Sequence, residues 1–190
     1  MSDEVLERLR ALVRAEGGLL AQQLAPGDLD GDGDGDGDGD GERANPPFSP
    51  SAALAQAPRT GANQAEYELL VEAIYEGYLL HYGRPRVLAS AEEDLSLLVG
   101  DRLYALGLAR LVALGDTLAV TELADTITLC ALAQGAGDAQ LAQAVWAAGT
   151  RAVGWGPSES HRRAKELVLA GSPDAADAMR TSATAIPQRD

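Results

Sequence analysis

The stretch Asp94-Leu95-Ser96-Leu97-Leu98-Val99-Gly100-Asp101-Arg102-Leu103-Tyr104-Ala105-Leu106-Gly107-Leu108-Ala109-Arg110-Leu111-Val112-Ala113-Leu114 decides the fold. It is too long for a strand, and apolar residues fall at nearly every angular position of a 3.6-residue period. Ser96, Asp101, Arg102 and Arg110 interrupt it, and such charges are expensive in a bilayer. The spacing therefore predicts a buried core helix and not a membrane span. A helix apolar nearly all round belongs at the centre of a bundle. Gly100 and Gly107 lie seven residues apart, on one helix face. Each costs roughly 1 kcal/mol mid-helix against Ala, so close approach of a neighbouring helix is expected there.

The signals on either side are also helical. Upstream, Asn63 with Glu66 makes a capping-box-like start, and a helix runs to Tyr82, where Gly83 and Pro85 end it. Ser90 with Glu93 repeats the capping pattern before the central helix. Downstream, Gly115 stops that helix, and Asp116 caps another through about Gln134. Asp138 starts the next through about Arg151, before Gly154, Gly156 and Pro157. Ser158 opens a polar helix containing His161, Arg162, Arg163, Lys165 and Glu166, which ends near Gly171. Ser172-Pro173 starts a last short helix, with Pro in its tolerated first position. No segment alternates as a strand does, and Thr121–Thr128 keeps helical spacing at Leu123, Ile127 and Ala131. The fold class is all-α: a helical bundle over 63–180, with a tail at 181–190 expected to fray.

Residues 1–25 are expected to form a separate amphipathic segment. Val5, Leu6, Leu9, Leu12 and Val13 share one helical face, opposite Glu7, Arg8, Arg10 and Arg14, and no partner lies nearby in sequence. Residues 26–62 combine a Gly-Asp tract with Asn45-Pro46-Pro47 and Ser49-Pro50, and so are expected to be a disordered linker.

The chain has 190 residues, enough for one domain. Fifteen Lys and Arg against 29 Asp and Glu give a net charge of −14. Seven Asp at alternate positions from 28 to 40 supply half of it, and without them 15 − 22 leaves −7. That balance is a poor match for DNA, RNA or anionic lipid, which require clustered Lys and Arg. A single cysteine, Cys130, excludes an intramolecular disulfide and a Cys-based structural zinc site, and its apolar surroundings read as a buried small hydrophobe. The acidic, amphipathic N-terminus is no secretory signal, so a soluble cytoplasmic protein is expected.

The Gly-Asp tract invites comparison with an EF-hand loop. Asp28, Asp30 and Asp32 fall at positions 1, 3 and 5, with Gly33 at position 6. Position 12 is then Gly39, and Glu42 has the wrong parity to replace it. The tract reads as a self-repelling spacer.

Glu68, Glu72 and Glu76 form an i, i+4 ladder on the 63–82 helix. Like charges at that spacing repel, and the plain reading is a solvated face; Mg²⁺ binding is the alternative. Tyr67, Tyr75, Tyr78 and Tyr82 on the same helix read as core edge with hydroxyls at water, the alternative being an elongated apolar pocket. His81 and His161 lack a Cys or second His at metal spacing, and His81 sits at a helix C-terminus, a comfortable structural place. Neither a Ser-His-Asp order, a Walker loop nor a dinucleotide fingerprint is present.

Two short segments carry a family resemblance. Gly83-Arg84-Pro85-Arg86-Val87 followed by Val99-Gly100-Asp101-Arg102-Leu103 resembles the all-helical trans-polyprenyl diphosphate synthases, over roughly Tyr67 to Gly135. In that family a Gly-Arg/Lys-Pro loop follows the first aspartate-rich helix, and a Leu-Ala-Gly-Asp-Tyr-Leu helix comes next. The resemblance implies a two-magnesium clamp on a diphosphate, with the first motif on Glu72-Ala73-Ile74-Tyr75-Glu76. Only the ends of that motif are acidic, His81 and Tyr82 stand where the family has Arg, and the second motif has no counterpart. Asp174-Ala175-Ala176-Asp177 lacks the doubled Asp. The resemblance thus implies a non-catalytic relative, a small or regulatory subunit. It makes Glu72, Glu76, Arg84 and Asp101 candidate diphosphate or partner contacts, with no catalytic residue, no metal ligand and no cofactor. Mg²⁺ enters only if Glu72 and Glu76 are catalytic. The expected partner is a protein, either a catalytic prenyl synthase subunit or a second copy. The other reading, from a different class, is a helical interaction module that docks through its N-terminal helix.

Overall fold

The computed structural model is all-α, and it describes residues 2–25, 48–89 and 92–184. Among these, eight α-helices occur: α1 (Ser2–Glu16), α2 (Gly18–Gln22), α3 (Gln64–Tyr82), α4 (Glu93–Ala113), α5 (Thr117–Gly135), α6 (Ala139–Trp155), α7 (Glu159–Leu169) and α8 (Ala175–Thr184). The described residues hold no strand, only one isolated antiparallel bridge between Leu24 and Leu88. The Gly-Asp tract, the rest of 26–47, Ser90 and 185–190 lie outside the described residues.

Three of the expected caps form. The side chains of Asp116, Asp138 and Ser158 accept from the amides of Ala119, Leu141 and His161. Each satisfies one of the orphan donors of a first turn. Asn63 does not cap α3. It ends a 3₁₀ turn, Gly61–Asn63, at φ −100° and ψ 13°, and so lacks the extended backbone that aims a capping side chain at the helix.

Helices α3 and α4 pack closely. A Cβ on Gly107 would lie 2.4 Å from Ile74 Cγ1, and one on Gly100 would lie 2.4 Å from His81 Cδ2. Both glycines are therefore needed for the approach that the sequence predicted. Two apolar clusters fill the interior. The larger joins α3, α5, α6, α7 and α8 around Ile74, Leu123, Trp146 and Met179. The second joins α1, α2, α3 and α4 around Leu9, Val13, Leu69 and Leu103.

Four expectations are corrected. Residues 1–25 are not a separate segment, because Val5, Leu9, Leu12 and Val13 are buried, three of them in the second cluster against Leu69, Ala73 and Leu80 of α3. Burying four such side chains is worth about 1.5–3 kcal/mol each, which outweighs holding the helix free. Residues 48–62 are not linker. A 3₁₀ turn at Pro50–Leu54 buries Leu54 fully, and Ala57 and Thr60 are buried with it. The composition averaged over 26–62 concealed these anchors. Helix α8 runs past residue 180 to Thr184 and buries Ser182, so the tail begins later than expected. Finally, α4 is not central. Its Val99, Leu103, Leu106 and Leu111 face inward, while Leu98 is 60% and Val112 58% exposed.

Candidate functional site

The acidic ladder of α3 divides in two. Glu68 is half-buried, whereas Glu72 and Glu76 are among the most buried side chains of the chain, at 1% and 0% exposure. The solvated-face reading is therefore wrong for both. Each carboxylate staples a loop to α3. Glu76 Oε1 accepts from the backbone amides of Arg86 (2.7 Å), Val87 (2.6 Å) and Leu88 (3.2 Å), which fixes the turn leaving α3. Glu72 Oε1 accepts from Ser49 Oγ and from the Ser51 amide, both at 2.9 Å, and so holds the first turn of the 3₁₀ segment.

The second oxygens share one cation. Arg86 Nη2 lies 2.7 Å from Glu72 Oε2, and Arg86 Nε donates to Glu76 Oε2 at 3.2 Å. The guanidinium centre also sits 5.0 Å from the Tyr75 ring centroid, a cation–π contact. Buried carboxylates are tolerable only when paired and hydrogen-bonded. Here one planar guanidinium bridges two acids one helical turn apart, a task suited to Arg and not to Lys.

This geometry tests the magnesium cradle that the resemblance implies. Mg²⁺ demands near-octahedral oxygen ligation and keeps several waters. Glu72 and Glu76 are buried, three of their four oxygens accept hydrogen bonds from this chain, and the fourth, Glu72 Oε2, lies 2.7 Å from Arg86 Nη2. The residues present do not fit the ion. Among the described residues, no group of three His, Cys, Asp or Glu is placed to hold a metal.

The other two candidates lie apart. Arg84 is exposed, and its neighbour Arg86 fills the role that the sequence gave no reason to assign. Asp101 is exposed on α4, 3.2 Å from His81 Nε2. Arg86, Ser49 and the amides of 86–88 were missed because their link to α3 is purely tertiary. The two arginines of Gly83-Arg84-Pro85-Arg86 look equivalent as sequence.

Tyr67, Tyr75 and Tyr78 pack into the core and line none of the described cavities, whereas Tyr82 is exposed at the end of α3. Tyr75 stacks on Tyr78 at 5.6 Å and meets Trp146 edge-on at 4.9 Å and Phe48 at 5.5 Å. Burial, with smaller charge effects, pushes the Tyr75 phenol up to about 12. Tyr67 does not reach for water. It donates to Asp116 Oδ2 at 2.8 Å, and burial plus that carboxylate raises it to about 12. Tyr78 Oη accepts from Gln134 Nε2 at 2.6 Å. Asp116 also takes both oxygens' worth of Arg59, at 2.9 and 3.0 Å. Burial alone would raise Asp116, but the Ala119 amide, Tyr67 and Arg59 together hold it below the usual carboxylate range.

A second buried polar cluster joins α5, α7 and α8. Glu122 Oε2 lies 3.0 Å from His161 Nε2 and 2.6 Å from Lys165 Nζ, and Lys165 also reaches Asp125 at 2.8 Å. Burial would raise Glu122, but His161 and Lys165 override it and hold the carboxyl low. His161 Nδ1 lies 3.4 Å from Ser182 Oγ, so a serine, a histidine and an acid stand in a row. They do not form a nucleophilic triad. Ser182 donates its proton to the Met179 carbonyl at 2.9 Å, all three side chains are buried, and the adjoining cavity is only about 10 Å³. The cluster is a lock between helices.

A larger cleft, about 370 Å³, lies between the ends of α5, α6 and α7, lined by Leu132, Leu141, Val168, Leu169 and Pro173. It is remote from Glu72 and Glu76 in the chain and touches neither. No helix among the described residues is long and apolar enough to cross a membrane. Comparison with protein families, curated proteins and solved structures found no match to this chain.

Proposed function

We propose that this chain is a non-catalytic helical protein of the cytoplasm, resembling part of a polyprenyl diphosphate synthase and acting as a small or regulatory subunit. One observation carries the reading. The two acids that the resemblance places in the first diphosphate motif are paired with the chain's own Arg86 and accept from its backbone amides. A cation that is covalently part of the chain stands between those acids, and the acids hold two loops against α3. The same residue pattern is thereby converted from ligand capture to structural anchoring.

The exposed Leu97, Leu98 and Val112 of α4 are what a protein partner would cover in this reading. The docking-helix reading has no such support: the apolar residues of α1 are used inside this chain.

The test is co-expression with a full-length polyprenyl diphosphate synthase from the same source. Co-purification, with product chain length altered by the added chain, is expected. Incubation of this chain alone with Mg²⁺ and an allylic diphosphate is expected to give no turnover. Turnover that disappears in Glu76→Gln, with the fold intact, would overturn the proposal.

A further inference from the structure

The two points that flank residues 26–47 are held at one place on α3. At the first, the Ala25 amide donates to the Val87 carbonyl at 3.0 Å, and the Ala89 amide donates to the Gln23 carbonyl at 2.7 Å. This pairing, with Leu24 bridged to Leu88, ties 23–25 to the loop 86–89. Glu76 holds that loop in turn, through the amides of Arg86, Val87 and Leu88. At the second point, Glu72 holds Ser49 and Ser51. Residues four apart on a helix are neighbours on its surface, about 5–6 Å between Cβ atoms.

We infer that 23–25, 48–51 and 86–89 form one cooperative unit, coupled through Arg86, so that the chain on both sides of 26–47 is fixed or released together. The device is conformational and stands apart from the subunit reading. Its released form uncovers Glu72 and Glu76 in a single step.

The coupling follows from the two roles of Arg86. Its backbone belongs to the first attachment, and its guanidinium is the counter-charge of the second, 2.7 Å from Glu72 Oε2. Releasing 86–89 withdraws that cation and leaves Glu72, 1% exposed, as an unpaired buried carboxylate. An uncompensated buried charge is strongly unfavourable, so Glu72 must turn to water and drop Ser49 and Ser51. The reverse path is also present. Phe48 meets the Tyr75 ring edge-on at 5.5 Å, and the Arg86 guanidinium lies 5.0 Å from the centroid of the same ring. Releasing 48–51 removes two donors from Glu72 and wets this stack, where an ion pair is worth less. The unit ends before Leu54. That side chain is fully buried, and Arg59 is anchored separately to Asp116 and the Val153 carbonyl.

The experiment is native-state hydrogen exchange on the full chain, resolved by residue, with three variants. Ser49→Ala removes a hydrogen bond to Glu72, and the Ser49 hydroxyl bonds only Glu72 and Ser51 among the described residues. The Ser51 amide should exchange about 10-fold faster, the weight of one hydrogen bond to a charged group. The amides of Ala25, Val87, Leu88 and Ala89 should accelerate by a similar factor, and that of Val145 in α6 should not. Val87→Ala loosens the other end, at a side chain that is fully buried. It should speed the Ser51 amide about 10-fold or more, since coupling is reciprocal. Arg86→Lys keeps the charge but loses the planar fork, and should speed exchange at Ser51 and at 86–89 alike.

A Ser49→Ala or Val87→Ala chain that loosens only its own end would overturn the inference. So would an Arg86→Lys chain in which Ser51 exchanges at the parent rate. Acceleration in Ser49→Ala that reaches Val145 equally would replace the local unit with global unfolding and overturn it as well.

Discussion

Replacing Glu76 by Ala is the sharpest test of the buried acid pair. The substitution removes the acceptor of three backbone amides, those of Arg86, Val87 and Leu88, and one of the two counter-charges of Arg86. Losing a buried acceptor costs about 1 kcal/mol or more for each donor left behind. Removing one partner of a buried ion pair costs about 3–5 kcal/mol in general. Here Glu72 remains to hold the guanidinium, and Arg86 keeps 20% exposure of its side chain, so water can relieve part of the loss. These opposing factors put Glu76→Ala at about 4 kcal/mol. Glu76→Gln keeps an acceptor for the amides and loses only the charge, about 2 kcal/mol. For a chain of this size, 4 kcal/mol is a fall of roughly 8–16 °C in the melting midpoint. Urea titration of both variants checks the order. Hydrogen exchange should show the amides of 86–88 protected in the parent and fast in Glu76→Ala. An alanine variant within about 0.5 kcal/mol of the parent would refute the stapling account, since a ligand-capturing acid costs function and not stability.

Other consequences are as direct. Gly107→Ala should destabilise by about 1–3 kcal/mol, because the new methyl meets buried Ile74, whereas Gly135→Ala, with open space around it, should be neutral or stabilising by up to about 1 kcal/mol; thermal denaturation gives the two signs. Glu122 and Asp116 are held below their ordinary range in the fold, so the stability they supply is present above about pH 4 and is lost as pH falls through their lowered values. Acid unfolding followed by circular dichroism should accordingly show a shallower pH dependence in Glu122→Gln. The Cys130 thiol is buried, and burial pushes it far up, so it should resist a thiol reagent until denaturant is added; labelling at neutral pH without denaturant would contradict its placement.

Much of the architecture is written locally. Helices α5 to α7 could be bounded from Asp116, Asp138, Ser158 and the glycines that follow each helix, because capping and termination act within one turn. Gly100 and Gly107 announced a close crossing, since a glycine tolerated mid-helix must be offset by something a side chain would block. The sites resisted such reading for an equally physical reason. An i, i+4 pair of glutamates has the same pattern whether it faces water or the interior. What makes Glu72 and Glu76 tolerable inside is Arg86, Ser49 and Ser51, which lie 10 to 23 residues away.

By itself, then, the sequence determined the helical class, the starts of α5, α6 and α7 and the tight α3–α4 crossing, all consequences of short-range backbone and side-chain chemistry. The tertiary structure alone decided that α1 and residues 48–62 belong to the core, that Arg86 and not Arg84 serves the acids, and that α4 leaves one face open. Each of those depends on which surfaces meet. Burial is a property of pairs of distant segments, and no local pattern names the partner.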